Sequence, residues 1–552
     1  MDAEHVPVLI VGAGAGGLAT SAVLVKHGVR SLLVEKRREV FIYPKARNLS
    51  FRTLEILRGL GLADEVHAVA EGVSDMVVKP ALNSPVQKPA LGVAEIFSQF
   101  DELSPEPSAQ YFPQSKLEPL LLAYTRGHGS EVRYGTSLSL FEQDDEGVTA
   151  VLRDLDSGTE RTVRADYLVA ADGVHSNIRD TLGVATAGYG PIPIFVVFVY
   201  FRAPWRRLVP GLGDGDGVQV ENADVDGIFL VAQGDLGMFV TTYFPREGET
   251  AEQFTTQRCH DMLLAAIGEP MEVQIVDIAP WQPHEQVAAQ FECGRIFLVG
   301  DAAHTMPPFK AGGANAAIQS AHNLAWKLSA VLDGTAEPGL LATYRAERHP
   351  IGRFSARQSL TGPAMKFLRL DDDRPQLPAG EERPLFDMLI GYRYWSAAVV
   401  TDEPAPEDPD AVSLVEELRA QPGTRVPHVW VRRDGERVST LDLLGPGFTL
   451  LTADDGGSWS VAAASASSGL GVPVAVHRIG AGGDVVDIEG AWAAVTGLAP
   501  SGALLIRPDD FVGWRADEMP ADPADALGRA LSAILARARS IPSARPAARP
   551  SQ

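Results

Sequence analysis

The sequence predicts an α/β protein with a Rossmann-like dinucleotide-binding core, a β-rich middle section and a further α/β unit beyond residue 400. Three observations carry that prediction. The chain opens with a strand, a glycine-rich turn, a helix and a second strand that ends in an acidic residue. A second strand, glycine turn and long helix recur at 295–332. Between them, apolar or alternating runs separated by turn residues read as an antiparallel sheet. With 552 residues, two to four domains and an ample core are expected.

The opening unit has a physical rationale at each position. Val6 to Val11 is a short β-branched run, the pattern of a strand buried on both faces. It enters Gly12-Ala13-Gly14-Ala15-Gly16-Gly17, followed by a helix over Leu18 to His27 that closes at Gly28, and a strand over Ser31 to Val34. Gly12 permits the tight turn, Gly14 admits a pyrophosphate against the backbone, and Gly17 lets helix and strand pack closely. The helix N-terminus turns its partial positive charge toward the diphosphate. Glu35, about 20 residues on, is placed to accept from ribose hydroxyls. Dinucleotide contacts are expected from Gly12, Gly14, Ala15, Gly16, Gly17, Glu35 and the adjoining Lys36. An acidic ribose partner favours FAD or NAD over NADP.

Two later segments have related form. Asp166 to Ala171 is a buried strand running into Asp172-Gly173-Val174-His175-Ser176-Asn177-Ile178-Arg179. Arg295 to Val299 opens onto Gly300-Asp301-Ala302-Ala303-His304, and Pro307 to Asn315 leads into a helix over roughly Ala316 to Leu332. Asp301 is placed to accept from ribityl or ribose hydroxyls, and the helix start near Gly312–Asn315 faces an anion or an electron-rich ring. In the β-rich section, Ile192 to Arg202, Gly217 to Val220, Gly227 to Gln233 and Gly237 to Phe244 read as strands, joined by part of Val73 to Ser98. Phe195, Phe198, Tyr200, Phe229, Phe239 and Tyr243 are the aromatic candidates for a flat ligand's cavity.

In this order the three motifs resemble the group A FAD-dependent monooxygenases, the para-hydroxybenzoate and phenol hydroxylase family, and most closely its aromatic-polyketide hydroxylases. Ala46-Arg47 before a helix containing Thr53, Leu54, Glu55 and Leu57, Gln114 before Leu117-Glu118, and Asn323 to Leu328 also fit the family pattern. The resemblance implies that Gly12, Gly14, Glu35, Arg47, Gln114 and Asp301 bind FAD, and that Asp172 and Gly173 support its pyrophosphate and the docking of NADH or NADPH. Pro308, Gly313, Ala314 and Asn315 belong to the same cofactor set. It also implies a reaction: one oxygen atom from O2 enters an electron-rich ring of a polycyclic aromatic polyketide through a flavin C4a-hydroperoxide. No catalytic acid or base is assigned, although His284, His304, His322 and His349 are present.

After residue 400 the segments Phe448 to Leu451, a helix from Trp459, Val472 to Arg478, Ala503 to Ile506, Val512 to Arg515 and a helix near Pro523 to Arg537 resemble the thioredoxin-like domain of these hydroxylases. Arg507-Pro508-Asp509 followed by Trp514-Arg515 has the form of its late strand pair. The expected fold is therefore α/β, with a Rossmann-like FAD-binding domain, an antiparallel β-sheet substrate domain and a C-terminal thioredoxin-like domain. The expected organisation is an FAD-binding domain over 1–76, 105–185 and 290–400, a substrate-binding β-sheet domain over 77–104 and 186–289, a thioredoxin-like domain lacking C-x-x-C over 401–540 with a linker at 401–410, and a disordered tail at 541–552.

One departure from the family stands out. Phe309-Lys310-Ala311 occupies a stretch where polyketide hydroxylases usually carry glycines. Two readings are open: Lys310 is a cation beside the flavin or for an acidic substrate, or it points into solvent. The same departure keeps a second function open, a non-redox cyclase of a polyketide polyene of [4+2] type with FAD as scaffold.

Composition excludes other classes. Lys and Arg number 48 against 71 Asp and Glu, a net charge of −23 that repels nucleic acid and anionic membranes. The 2 cysteines, Cys259 and Cys293, exclude a disulfide framework and a Cys-rich metal site. No metal is expected, and H-E-x-x-H, C-x-x-C and G-x-S-x-G are absent. An acidic N-terminus and apolar runs well short of about 20 residues lead to the expectation of a cytoplasmic protein. Expected partners are a small aromatic or polyketide substrate and O2, with a homodimer left open.

Overall fold

The computed structural model describes residues 4–40, 46–72, 76–89, 100–107, 109–361, 381–453 and 455–537. The tail expected at 541–552 lies outside them. A core of five parallel strands runs in the order Ile296–Leu298, Glu160–Ala170, Glu4–Val11, Ser31–Glu35, Glu131–Tyr134. Every residue of Ser31–Glu35 is buried, which is why that strand shows no polar alternation. An antiparallel pair, Thr136–Gln143 and Val148–Asp154, extends the outer half of Glu160–Ala170.

Two helices pack together on this sheet, Ala15–Lys26 and Gly312–Leu332. Small residues make the approach close. A Cβ on Gly16 would lie 3.2 Å from Val299 and 3.5 Å from the Ala317 methyl. Most of Gly312–Leu332 is buried, because one side meets the sheet and the other meets the C-terminal unit. The helix begins four residues earlier than its apolar pattern predicted, since Gly312 and Gly313 are already helical.

The second sheet has seven strands in the order Gln274–Trp281, Phe195–Arg202, Leu236–Tyr243, Asp226–Gln233, Gly217–Glu221, Val77–Lys79, Lys88–Pro89. Register divides its side chains cleanly between two faces. Val197, Val199, Phe201, Phe229 and Phe239 pack with Cys259, Leu263 and Ile267 of the Thr256–Ile267 helix. Tyr200, Ala232, Leu236 and Met238 cluster on the opposite face, with Phe198, Leu230 and Val240 packed against them. On that same face Ile194 and Val196 meet Leu360, just after the Thr343–Gln358 helix. Of the six candidate aromatics, only Phe198 and Tyr200 share it. Phe229 and Phe239 are core rings 4.8 Å apart, and Tyr243 lies tilted against Phe254 at 5.7 Å.

In the C-terminal unit, strands Val474–Arg478, Phe448–Thr452, Ala503–Ile506 and Val512–Ala516 form a sheet in that order, the first pair parallel and the rest antiparallel. Helices Gly457–Leu470 and Pro523–Ile534 lie against each other, completing the thioredoxin-like βαβ–ββα arrangement. A three-stranded sheet of Glu436–Ser439, Trp430–Arg433 and Val485–Asp487, which the sequence patterns did not reveal, adjoins it. The core of this unit is continuous with the rest: Trp326 of the long helix meets Phe448 edge-on at 6.2 Å and shares a cluster with Leu450, Trp459 and Leu531. The stretch at 401–410 is a tied loop rather than a free linker. Tyr392–Arg393 pairs with Ser413–Leu414 across its ends, and Arg393 makes two bonds to Glu403, of 2.6 and 3.1 Å.

Candidate active site

The first glycine turn is built as its residues demand. Gly12 has φ +108°, and a Cβ there would lie 2.2 Å from the Ala171 carbonyl oxygen. A Cβ on Gly17 would lie 1.9 Å from the Gly12 carbonyl oxygen. Gly14, in contrast, has an ordinary φ of −78°, and a Cβ there would meet nothing nearer than Glu118 Oε1 at 3.9 Å. Gly12 and Gly17 are therefore fixed by the fold, whereas Gly14 leaves open space in front of the helix N-terminus. Ala15 and Gly16 form its first turn.

Glu35 is buried at the tip of its strand. Its Oε2 accepts from the Ala13 N–H at 2.8 Å and its Oε1 from the Arg37 N–H at 2.9 Å. Both oxygens retain acceptor capacity. Lys36 next to it is exposed.

The second motif closes on itself. Asp172 accepts from Ser176 Oγ at 2.6 Å and from the Ile178 N–H at 3.2 Å, and Ser176 caps the Asn177–Thr181 helix by accepting from the Arg179 N–H. Burial raises the Asp172 carboxyl, and these bonds oppose the rise. The Arg179 side chain reaches the Val174 carbonyl at 3.1 Å and the Ala302 carbonyl at 3.3 Å, tying this loop to the Gly300–Ala302 turn. The Asp-Gly-x-x-Ser-x-x-Arg spacing is thus a loop-fixing device, and Asp172 has an internal partner set. Gly173, at φ +93°, faces open space.

At the third motif Gly300 takes φ +64° and lies beside Gly16, while Asp301 is exposed and its carbonyl accepts from Thr305 Oγ1. Pro307 and Pro308 lead to Ala311, whose φ of +52° starts the long helix at Gly312. Gly313 has only Met306 within reach, at 4.0 Å, so the first N–H groups of the helix, including that of Ala314, emerge beside open space.

Asn315 has a role other than the one expected of its side chain. Its Oδ1 accepts from the Ser50 N–H at 3.0 Å and from Thr53 Oγ1 at 2.6 Å, and its Nδ2 donates to the Ala311 carbonyl at 2.7 Å. It is a latch between the long helix and the start of the Phe51–Gly59 helix. Ser50 carried no sequence signal, because its function depends on a partner 265 residues away. Gln114 likewise spends its amide N–H on Glu118 Oε1 at 2.5 Å and keeps its carbonyl oxygen.

Arg47 lies over the Tyr111 ring at 5.1 Å and donates to the Asp214 and Asp216 carbonyls, both at 3.3 Å. It therefore joins the first sheet's loops to the second sheet. Burial lowers its affinity for a proton, against the pull of Tyr111 and Asp216. Three buried polar atoms of this segment and its strand partner have no protein partner: Arg47 Nε, Asn48 Oδ1 and Gln110 Oε1. Across the paired strands Asn48–Ser50 and Ala109–Tyr111, Asn48 stands opposite Tyr111 and Gln110 opposite Leu49, so the Asn48 and Gln110 side chains leave the pair on opposite faces. Buried polar groups are almost always hydrogen-bonded, so the donor left over at Arg47 Nε suits the polar edge of a flavin ring. The residues present fit FAD.

Lys310 matches neither sequence reading. Its Nζ donates to Thr361 Oγ1 at 2.9 Å and pairs with Glu382 at 3.1 Å, so its charge is directed into an ion pair instead of toward the ring site or solvent. His304 is buried, with its Nε2 3.3 Å from Ser320 Oγ, and burial pushes the imidazole down to about 3. A neutral His304 packed against Phe291 is a structural residue.

Similarity to known proteins identifies the family. Residues 5–359 match the FAD binding domain family and residues 419–538 the aromatic-ring hydroxylase C-terminal family. The chain is 39% identical to tetracenomycin A2 monooxygenase-dioxygenase of Streptomyces glaucescens, over 98% of this chain and 99% of that protein. It is 38% identical to 4-methyl-5-nitrocatechol 5-monooxygenase of a Burkholderia species, over 97% and 98%. The crystal structure of aklavinone-11 hydroxylase with FAD and aklavinone superposes with a TM-score of 0.85 at 36% identity, covering 97% of this chain and 100% of that one. By fold, motif order and full-length similarity, the chain belongs to the FAD-dependent aromatic-ring monooxygenases.

Proposed function

We propose that the protein hydroxylates a polycyclic aromatic polyketide intermediate, using FAD, O2 and NADH or NADPH. The observation that carries the reading is the buried Arg47 Nε, from which no protein group accepts. Arg47 also bonds the second sheet, and the Tyr111 hydroxyl donates to the Val231 carbonyl at 3.4 Å. The sheet that Tyr111 reaches bears Tyr200, Leu236 and Met238 together on one face. That face is apolar, as a flat, weakly hydrated ring system requires. Relatives named for tetracenomycin and aklavinone support a substrate of that class.

Bound FAD supplies the electron transfer and oxygen activation. The chain's part is to bind, orient and keep the site dry. The Gly14 region and the Ala15–Lys26 helix N-terminus receive the pyrophosphate, and Glu35 accepts from ribose. Asp301, Asp172 and Gly173 are assigned to the ribityl and pyrophosphate side, Gln114 through its carbonyl oxygen. The N–H groups of Gly313, Ala314 and Asn315 present the positive end of a 21-residue helix to the ring, favouring negative charge there. No side chain is assigned as proton donor or acceptor. The cyclase alternative rested on the altered Phe309–Ala314 loop, and the Lys310–Glu382 pair gives that loop a structural account.

The reading is tested with purified protein, NADH or NADPH, and a panel of polycyclic phenols under 18O2. One 18O atom per product, with faster nicotinamide oxidation when ligand is present, is expected. A protein that oxidises neither nicotinamide with any ligand, yet converts a polyene without oxygen, would overturn it.

A further inference from the structure

One turn of the C-terminal unit, Arg507-Pro508-Asp509-Asp510-Phe511 between two of its strands, makes buried ionic contacts with the flavin-binding part. Asp510 there has φ +70°, a conformation that non-glycine residues seldom hold without a reason. Its carboxylate accepts from Arg52 Nη1 at 3.0 Å, and the carbonyl of Asp509 accepts from Arg52 Nη2, also at 3.0 Å. Arg52 is 1% exposed. It also reaches Glu55 at 3.0 Å, so its planar fork is fixed from three directions. The neutral His322 ring faces it at 3.5 Å, and burial holds that imidazole down to about 4.

Arg52 sits between Ser50 and Thr53, the two residues that grip Asn315 in the first turn of the long helix. The path from the C-terminal turn to the flavin-facing helix end is therefore short: hydrogen bonds join Asp510 to Arg52, the backbone joins Arg52 to Ser50 and Thr53, and hydrogen bonds join those two to Asn315. Arg425 reinforces it by donating to Glu55 at 2.6 Å. A unit that only needed attachment has the Trp326–Phe448 contact for that purpose. Here the charged turn falls on the segment that latches the helix.

We propose that Asp510 and Arg52 are positioning residues through which the C-terminal unit sets the helix end that faces the flavin. The unit, which carries neither cysteine of the chain, thereby acts as a clamp on the cofactor site. This rests on the FAD reading above, and the test separates the two. Full-length apoprotein is titrated with FAD at low temperature, where folding is confirmed by far-UV circular dichroism. Visible circular dichroism of the bound flavin reports its surroundings, and thermal melting is recorded separately. Asp510→Asn keeps the shape and tolerates positive φ; Asp510→Gly relieves the backbone and removes the carboxylate; Arg52→Lys keeps charge but loses the fork.

Wild type binds FAD. All three variants are expected to bind it about ten-fold or more weakly while folded, with an altered flavin spectrum, as the loss of a charge-assisted hydrogen bond that positions the site would produce. Variants that melt earlier yet bind FAD with wild-type affinity and spectrum would make the contact a plain interface and overturn the proposal. If wild type itself takes no FAD, the function reading fails instead.

Discussion

Gly14 and Gly17 lie three residues apart in the same turn, and the structure separates what each is for. A Cβ on Gly17 lands 1.9 Å from the Gly12 carbonyl oxygen and 3.2 Å from the Ala171 methyl. Neither neighbour is a flexible side-chain end, so the turn or the helix must move by about 1.6 Å to reach ordinary contact near 3.5 Å. Overpacking of that kind costs about 1–3 kcal/mol or more, a lowering of the apoprotein melting temperature by several degrees at about 2–4 °C per kcal/mol. A Cβ on Gly14 meets only Glu118 at 3.9 Å, with φ already ordinary. Gly14→Ala should therefore cost the apoprotein under about 1 kcal/mol, the difference between a good and a poor N-cap.

Its effect falls on the ligand. The added methyl occupies the space through which pyrophosphate oxygens reach the N–H groups. Losing two charge-assisted bonds at about 1.5–3 kcal/mol each weakens FAD binding by a factor on the order of 10² or more. The assay pairs apoprotein thermal melts with FAD titration by flavin fluorescence quenching. Gly14→Ala binding FAD like wild type, or Gly17→Ala melting like wild type, would refute the division of labour.

Four further expectations follow from the same structure. Glu347 accepts from Arg507 at 2.6 and 2.8 Å and from Lys327 at 2.7 Å, all fully buried; Glu347→Gln leaves two buried cations undercompensated and should cost about 3–5 kcal/mol by urea unfolding, a loss below 1 kcal/mol contradicting the account. Burial lowers His304 to about 3 and His322 to about 4, both below the unfolded value, so the stability they contribute is present above pH 6.5 and lost as pH falls toward those values. Unfolding free energies from urea titrations should fall, from pH 6.5 toward pH 4.5, by about 1.4 kcal/mol per pH unit for each ring, and a flat profile would remove the claim that both stay neutral. Lys310→Ala breaks a pair whose Glu382 carboxylate is 50% exposed, so stability should change by under about 1 kcal/mol; a larger loss would show that the pair holds the helix start. Cys259 and Cys293 both precede the thioredoxin-like unit, so the protein should show no dithiol-dependent insulin reduction, and Cys259→Ser with Cys293→Ser should leave nicotinamide oxidation intact.

Glycine turns, parallel strands and the thioredoxin-like pattern were legible in the chain because each is local: a positive φ, a buried β-branched run or a βαβ spacing is written within some 30 residues. The face of the second sheet on which an aromatic ring lies was also set by local alternation, but which face is lined for ligand was not. Phe229 and Phe198 are equally apolar, and only the placement of the Thr256–Ile267 helix makes one of them core.

What the sequence determined by itself was the family, the cofactor and the order of the elements. Tertiary structure decided the allocation of polar side chains. Asn315 is a latch, Asp172 a brace for the Ser176 cap, Lys310 an ion-pair partner, and Arg52 a partner of Asp510, each through a residue 4 to 458 positions distant along the chain. The physical reason is range. A backbone conformation depends on its neighbours in sequence, whereas a buried charge is tolerable only beside a partner that folding brings to it.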